Sequence, residues 1–202
     1  MKEFISGRVT PQRKAIGVND KFGNTGIKKQ QGSTIVKYDT LDYTGQTELR
    51  FFEGSAQRNF PLSNTGSDGN KLGVGNTMVV ERAYLTLIET DVETGAVKYS
   101  PITISLTNLD WLVLSEFGMS IANSEVIKTL PILSWTPQFG KDQENENNYN
   151  FEFDTQIIIP PLLEYVCTLR IPTATTLPAE YTYKIRLTIE GTGAIIAPRT
   201  TF

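Results

Sequence analysis

Glu152 and Asp154 are the residues whose spacing most directly suggests catalysis. They lie in Asn150-Phe-Glu-Phe-Asp-Thr155, where strand alternation places both carboxylates on one face. An acid and a base flanking one bond is what glycoside hydrolysis requires. Two acids on the wet face of one strand also arise by chance, and nothing else in the sequence converges on them. Thr65-Gly-Ser-Asp-Gly-Asn-Lys-Leu-Gly-Val-Gly75 offers glycines and a lysine, as a phosphate-binding loop does. No Gly-Lys-Ser/Thr closes it and no strand-then-helix frame surrounds it, so Asp68-Gly69 reads as a tight turn. Gln138 to Asn148 gathers carboxylates and amides, but the glycine and closing glutamate of calcium-loop spacing are missing, and it reads as a solvated loop. The chain has no histidine, which removes the Ser-His-Asp and Cys-His sets and the commonest metal ligand. Cys167, the sole cysteine, stands in Tyr-Val-Cys-Thr-Leu, the pattern of a buried and inert thiol. These residues lead to the expectation of a non-enzymatic protein with no catalytic, metal-binding or cofactor-binding residue and no small-molecule substrate.

The elements that would carry any function are strands. Tyr181, Tyr183, Ile185, Leu187 and Ile189 alternate with Thr182, Lys184, Arg186, Thr188 and Glu190, giving one oily face and one wet face. The oily face requires a second sheet. Leu49–Glu53, Thr77–Glu89, Ile102–Thr107, Asn150–Thr155 and Leu163–Ile171 read as further strands, with a bulge near Arg82 where the parity of the apolar residues changes. Asn108–Gly118 fits either a capped helix or a buried strand. Ser124–Thr129 reads as one helical turn, and Leu130–Trp135 as extended because Pro131 resists a helix. Gly191-Thr-Gly193 reads as an interruption, followed by a short last strand from Ala194. About eight strand-like runs predict an all-β fold: a single antiparallel β-sandwich of jelly-roll type. An immunoglobulin-like sandwich is the nearest alternative, and its Cys-Trp-Cys markers are missing. The aromatics, Trp111 and Trp135 included, lie in apolar patterns that suit a core better than a sugar-stacking platform.

Charge is unevenly spread over the 202 residues. Residues 1–40 carry eight basic and three acidic side chains, a net +5; the remainder carries eleven basic and nineteen acidic, a net −8. Residues 1–45 are also rich in Gly, Asn, Gln, Thr and Lys, with only scattered apolar residues. They are expected to form an extended basic N-terminal arm, with the sandwich domain over 46–202. Arg8, Arg13, Lys14, Lys21, Lys28 and Lys29 are the candidate residues for contact with a polyanion. Trimming residues 1–40 is expected to leave a folded domain. No apolar run reaches membrane-spanning length and the start lacks an apolar signal region, which leads to the expectation of a soluble protein folded in a reducing cytoplasm.

One family resemblance rests on the strand and turn pattern of residues 49–198. Its parts are Arg50-Phe-Phe-Glu-Gly, Asn59-Phe-Pro-Leu-Ser-Asn, Lys71-Leu-Gly-Val-Gly-Asn-Thr-Met-Val-Val-Glu-Arg82, Ile157-Ile-Ile-Pro-Pro-Leu-Leu-Glu-Tyr-Val-Cys-Thr-Leu-Arg-Ile-Pro172 and Gly191-Thr-Gly-Ala-Ile-Ile-Ala-Pro198. Together they resemble the jelly-roll capsid proteins of tailless icosahedral bacteriophages, including those with an internal membrane. The resemblance implies a structural virion protein, made in the host cytoplasm, that self-assembles through sandwich sides and exchanged arms. Shells of the membrane-containing type often use two jelly rolls in one major protein, whereas this length fits one. That leaves a pentameric penton (vertex) protein or a single-jelly-roll major capsid protein. Implied partners are further copies of the chain in a pentamer or capsid lattice, other capsid proteins, and the genome or internal membrane touched by the arm. The alternative is a carbohydrate-binding β-sandwich module of a fibre or polysaccharide-processing system.

Overall fold

The structure is a computed structural model that describes residues 10–21, 30–101, 114–135, 151–172 and 177–196. Among these residues there are one α-helix and two antiparallel sheets. The helix is α1 (Pro11–Lys21), and the strands are β1 (Gln30–Tyr43), β2 (Glu48–Phe51), β3 (Thr77–Asp91), β4 (Val97–Pro101), β5 (Glu116–Ile121), β6 (Ser124–Pro131), β7 (Phe151–Ile159), β8 (Tyr165–Arg170) and β9 (Tyr181–Ile196). The first sheet runs β1-β9-β3, and the far edge of β3 is shared: β7 pairs with its first half and β4 with its second. The second sheet runs β2-β8-β5-β6. All pairings between these strands are antiparallel.

The alternation of β9 builds the core as read. Tyr183, Ile185, Leu187 and Ile189 are buried, and Met78, Val80, Ala83, Leu85 and Leu87 of β3 lie beside them. Facing them from the second sheet are Phe51, Phe117, Met119, Tyr165, Cys167 and Leu169. Removing these apolar faces from water is the main force that joins the sheets. The parity change on β3 comes from a bulge between Val80 and Arg82, where the register with both β7 and β9 shifts. Glu81 is the extra residue, so Val80 and Ala83 both point inward although three positions apart.

Five expectations change. Gln30–Tyr43, placed in the arm by composition, is β1, paired along its whole length with β9. Pro11–Lys21, also placed in the arm, is helical and packs on the first sheet. Ser124–Pro131 is an edge strand rather than a helical turn, because its backbone groups pair with β5. Gly191 and Gly193 do not interrupt β9, which continues to Ile196. A Cβ built at Gly191 would overlap the Val79 carbonyl oxygen and lie 2.8 Å from its carbonyl carbon. Glycine there permits close approach of β3 at the bulge, instead of breaking the strand. Ile132–Trp135 forms a short 3-10 turn directly after β6, where an extended path was expected. The strand expected at Ile102–Thr107 and the loop Gln138–Asn148 lie outside the described residues, as do Trp111 and most of the ambiguous stretch Asn108–Gly118, whose end opens β5.

Candidate interaction surfaces

The bulge gathers the carboxylates that first suggested chemistry. Glu152 and Asp154 both point outward from β7, as their spacing predicted, into a cavity of about 470 Å³ also lined by Glu81, Arg82, Glu190 and Thr192. Thr192 Oγ1 donates to Glu81 Oε2 at 2.7 Å, and Arg82 Nε lies 3.3 Å from Glu152 Oε1. Four carboxylates against one guanidinium make a negative recess suited to attracting cationic groups. Among the described residues no group of three or more His, Cys, Asp or Glu side chains is placed to hold a metal ion.

The basic candidates divide. Arg13, Lys14 and Lys21 lie on α1, whereas Arg8, Lys28 and Lys29 fall outside the described residues. Thr10 starts the helix: its carbonyl accepts the Lys14 N–H at 3.0 Å, and its hydroxyl faces the Arg13 N–H at 3.5 Å. Pro11 follows at the first helical position, where a missing N–H costs nothing. The helix buries Ala15 against Val79 and Ala194, with Ile16 and Ile158 beside them. Asn19 Nδ2 donates to the Gly75 carbonyl at 2.7 Å. Arg13, Gly17 and Lys21, four residues apart in turn, are all exposed, with Lys14 half-buried at their flank. The helix therefore turns its positive charge away from the sheet. Gly17 contributes nothing to this packing, since a Cβ there meets no atom within 4 Å. Gly17→Ala is expected to stabilise the fold by about 0.5–1 kcal/mol in chemical denaturation.

The outer border of β1 shows features that composition concealed. An edge strand offers unpaired backbone groups to any passing strand. Here side chains take them. Asn64 Oδ1 accepts the Tyr38 N–H at 2.8 Å, and its Nδ2 donates to the Val36 carbonyl at 2.8 Å. The Thr40 N–H goes to Asp39 Oδ1. Gln46 accepts the Thr44 N–H and donates to the Asp42 carbonyl.

Asp39 is fully buried and anchors this border. Its carboxylate accepts from Arg58 Nε at 2.8 Å and Arg58 Nη2 at 2.6 Å, and from the Phe52 N–H at 2.6 Å. Phe52 holds a left-handed backbone conformation, φ 69°, with its ring buried against Tyr165. Such a conformation persists in a bulky residue only when the surroundings enforce it. Asp39 is the enforcing contact on the backbone side. The loop from Arg58 to Asn64 is thus tied to β1 at both ends, and Phe60 at its tip is 83% exposed.

Cys167 lies fully buried beside Tyr165, as its apolar setting predicted. Burial, with the Asp39 charge adding, pushes its thiol far above the usual range. Burial does the same to the Tyr165 hydroxyl. The native protein should therefore resist thiol labelling at pH 8 and react fully once unfolded. The linkage has a definite sign: a raised folded-state pKa favours the neutral form, so this contribution is complete below the unfolded thiol pKa of about 8.5 and declines as pH rises above it. Cys167→Ala should flatten that alkaline decline.

At the far end of β1 a groove of about 690 Å³ opens between Leu177, Pro178, Tyr181 and Tyr183, with Tyr43 beneath. Tyr181 begins β9 on its apolar parity yet remains 42% exposed there. The side chain of Trp135 and all of Trp111, the residues that a sugar platform would use, are not among the described side chains. No family model, curated protein or solved structure matches this chain.

Proposed function

We propose that this chain is a structural shell subunit: a single jelly roll that self-assembles into an icosahedral capsid, as a penton or as a single-jelly-roll major capsid protein. The observation that carries the reading is the strand order. With β4 set aside as a side strand, β1-β9-β3-β7 stands against β2-β8-β5-β6. From β1 to β3, and again from β6 to β9, the chain changes sheet at every strand. That wrapping is what two Greek keys of a jelly roll, as in capsid and lectin domains, would give, and it supports the reading.

The surfaces support the shell reading over the lectin one. Between Val36 and Asp42, side chains of Asn64, Asp39 and Gln46 take β1 backbone groups, which disfavours strand addition there and suits a subunit that meets its neighbours side to side. Arg13, Lys14 and Lys21 on the outer helix face suit phosphates of a genome or of an anionic lipid surface. Their contact would weaken steeply with salt.

Light scattering on the full-length protein across concentration tests the reading, alongside a variant lacking residues 1–29. Full-length protein should reach masses well above the 22.5 kDa of one chain. The deletion removes α1 but spares β1, so it should keep the β-sheet part of its circular dichroism, without the helix signal, while losing large assemblies. A strictly monomeric full-length protein that binds defined glycans on an array would establish the carbohydrate-binding alternative instead.

A further inference from the structure

The recess at the bulge carries more negative charge than its own strands neutralise. The register sets Val36, Glu190, Arg82 and Glu152 side by side across β1, β9, β3 and β7. Arg82 thus stands between two glutamates, and its guanidinium pairs with Glu152 at 3.3 Å. Glu81, the extra residue of the bulge, and Asp154 bring two further carboxylates to the same recess. Like charges gathered on neighbouring strands oppose pairing unless a cation joins them. None of the α1 cations, Arg13, Lys14 and Lys21, lines the recess.

One wall of the recess is Pro11, the first residue of α1. The chain therefore reaches the sheet at the rim of the acidic site. Arg8 precedes Pro11 by three residues, so their Cα atoms lie within about 10 Å of each other whatever path joins them. The long arginine side chain extends that reach over the recess. A tether this short holds the guanidinium there at a high effective concentration. Its flat fork can bond two carboxylate oxygens at once. The cavity of about 470 Å³ has room for a peptide side chain, and among the described residues no three acidic groups converge to hold a metal ion. Carboxylates spread in this way suit an extended cation better than a point charge.

We propose that the segment preceding α1 docks over this recess in its own subunit, with the Arg8 guanidinium paired to the recess carboxylates. Glu190 is the foremost partner, since Arg82, opposite it in the register, pairs with Glu152 instead. Two observations select this occupant: the charge of the recess is opposite to that of Arg8, and the segment is tethered at the recess wall. The contact gives α1 a second anchor. An eleven-residue helix is marginal alone, and the apolar footing of this one is confined to Ala15 and Ile16 against Val79, Ile158 and Ala194. Docking also turns Arg8 toward the sheet, whereas Arg13 and Lys21 remain exposed on the helix. The inference goes beyond the shell reading and holds for a monomer as for an assembly.

Carbodiimide crosslinking of full-length Arg8→Lys tests the docking directly, because the reagent joins an amine to a carboxylate only where the two touch. Heavy-isotope and light chains are mixed and the products mapped by mass spectrometry, which separates links within a chain from links between chains. Position 8 should link within its own chain to Glu190, Glu81 or Asp154. In the unmodified chain, native-state trypsin cleavage after Arg8 should speed up about fivefold in Glu190→Gln, the scale of a surface ion pair. Glu93→Gln, in the exposed turn after β3, should leave that rate unchanged. Circular dichroism checks that both glutamine variants keep the fold. Links from position 8 that are only inter-chain, that fall only on other carboxylates or that fail to form overturn the docking, as does a cleavage rate that Glu190→Gln leaves unchanged. A monomeric protein that gives the expected links removes the shell reading and leaves the docking standing.

Discussion

Asp39→Ala is expected to lower the unfolding free energy by about 3–5 kcal/mol, the range for removing one partner of a buried ion pair. The carboxylate is wholly buried and accepts two bonds from Arg58, one from the Phe52 N–H and one from the Thr40 N–H. Alanine strands a guanidinium that is only 23% exposed, leaves the Phe52 amide without its acceptor, and releases the left-handed turn at Phe52. A loss of this size is a large share of a typical domain's 5–15 kcal/mol. Asp39→Asn keeps the shape and one acceptor oxygen, so it should fall between wild type and alanine and serves where alanine does not fold. Arg58→Ala should also destabilise, and the double variant should cost clearly less than the sum of the two singles, because the groups act together. Urea denaturation midpoints measure all four. A loss under about 1 kcal/mol for Asp39→Ala would mean that the pair does not organise the β1 border.

Gly191→Ala should cost about 3 kcal/mol or more, the upper part of the range for overpacking a close contact. Its Cβ would collide with backbone, the Val79 carbonyl, not with the flexible end of a side chain. β9 lies between β1 and β3, so neither neighbour moves away without breaking pairings along its length. At about 2–4 °C per kcal/mol for a chain of this size, the melting temperature should fall by about 6–12 °C. Gly17→Ala, at an open helix position, should move it the other way. A Gly191→Ala protein as stable as wild type would show that β3 and β9 are not in this close approach at the bulge.

Both sensitive positions were hard to read from sequence, for physical reasons. The alternation from Tyr181 to Ile189 was legible because every inward position is apolar. On β1 the corresponding positions are Ile35, Lys37, Asp39, Leu41 and Tyr43, and two charges break the pattern. The group that neutralises Asp39 lies nineteen residues on, across a turn, where no local periodicity reveals it. The same stretch therefore read as a basic arm, and a deletion ending at residue 40 would remove most of a sheet strand. β6 failed for the opposite reason. It is an edge strand with most residues exposed and an irregular register against β5, so little alternation is imposed on it. The bulge at Arg82 was legible, since it leaves a parity change in the sequence itself. Glycine at 191 carries no sign of whether it breaks a strand or lets a neighbour approach. Of the candidate surfaces, the positive charge of Arg13, Lys14 and Lys21 was visible as composition. Phe60 and the Tyr181 groove were not, because exposure is decided by the tertiary fold.

The most direct measurement is electron microscopy of the purified full-length protein at concentrations that favour assembly. The account predicts closed, symmetric particles, rings or curved sheets built from repeating two-layered β units. Uniform single particles of one chain's mass, unchanged by concentration or salt, would contradict it.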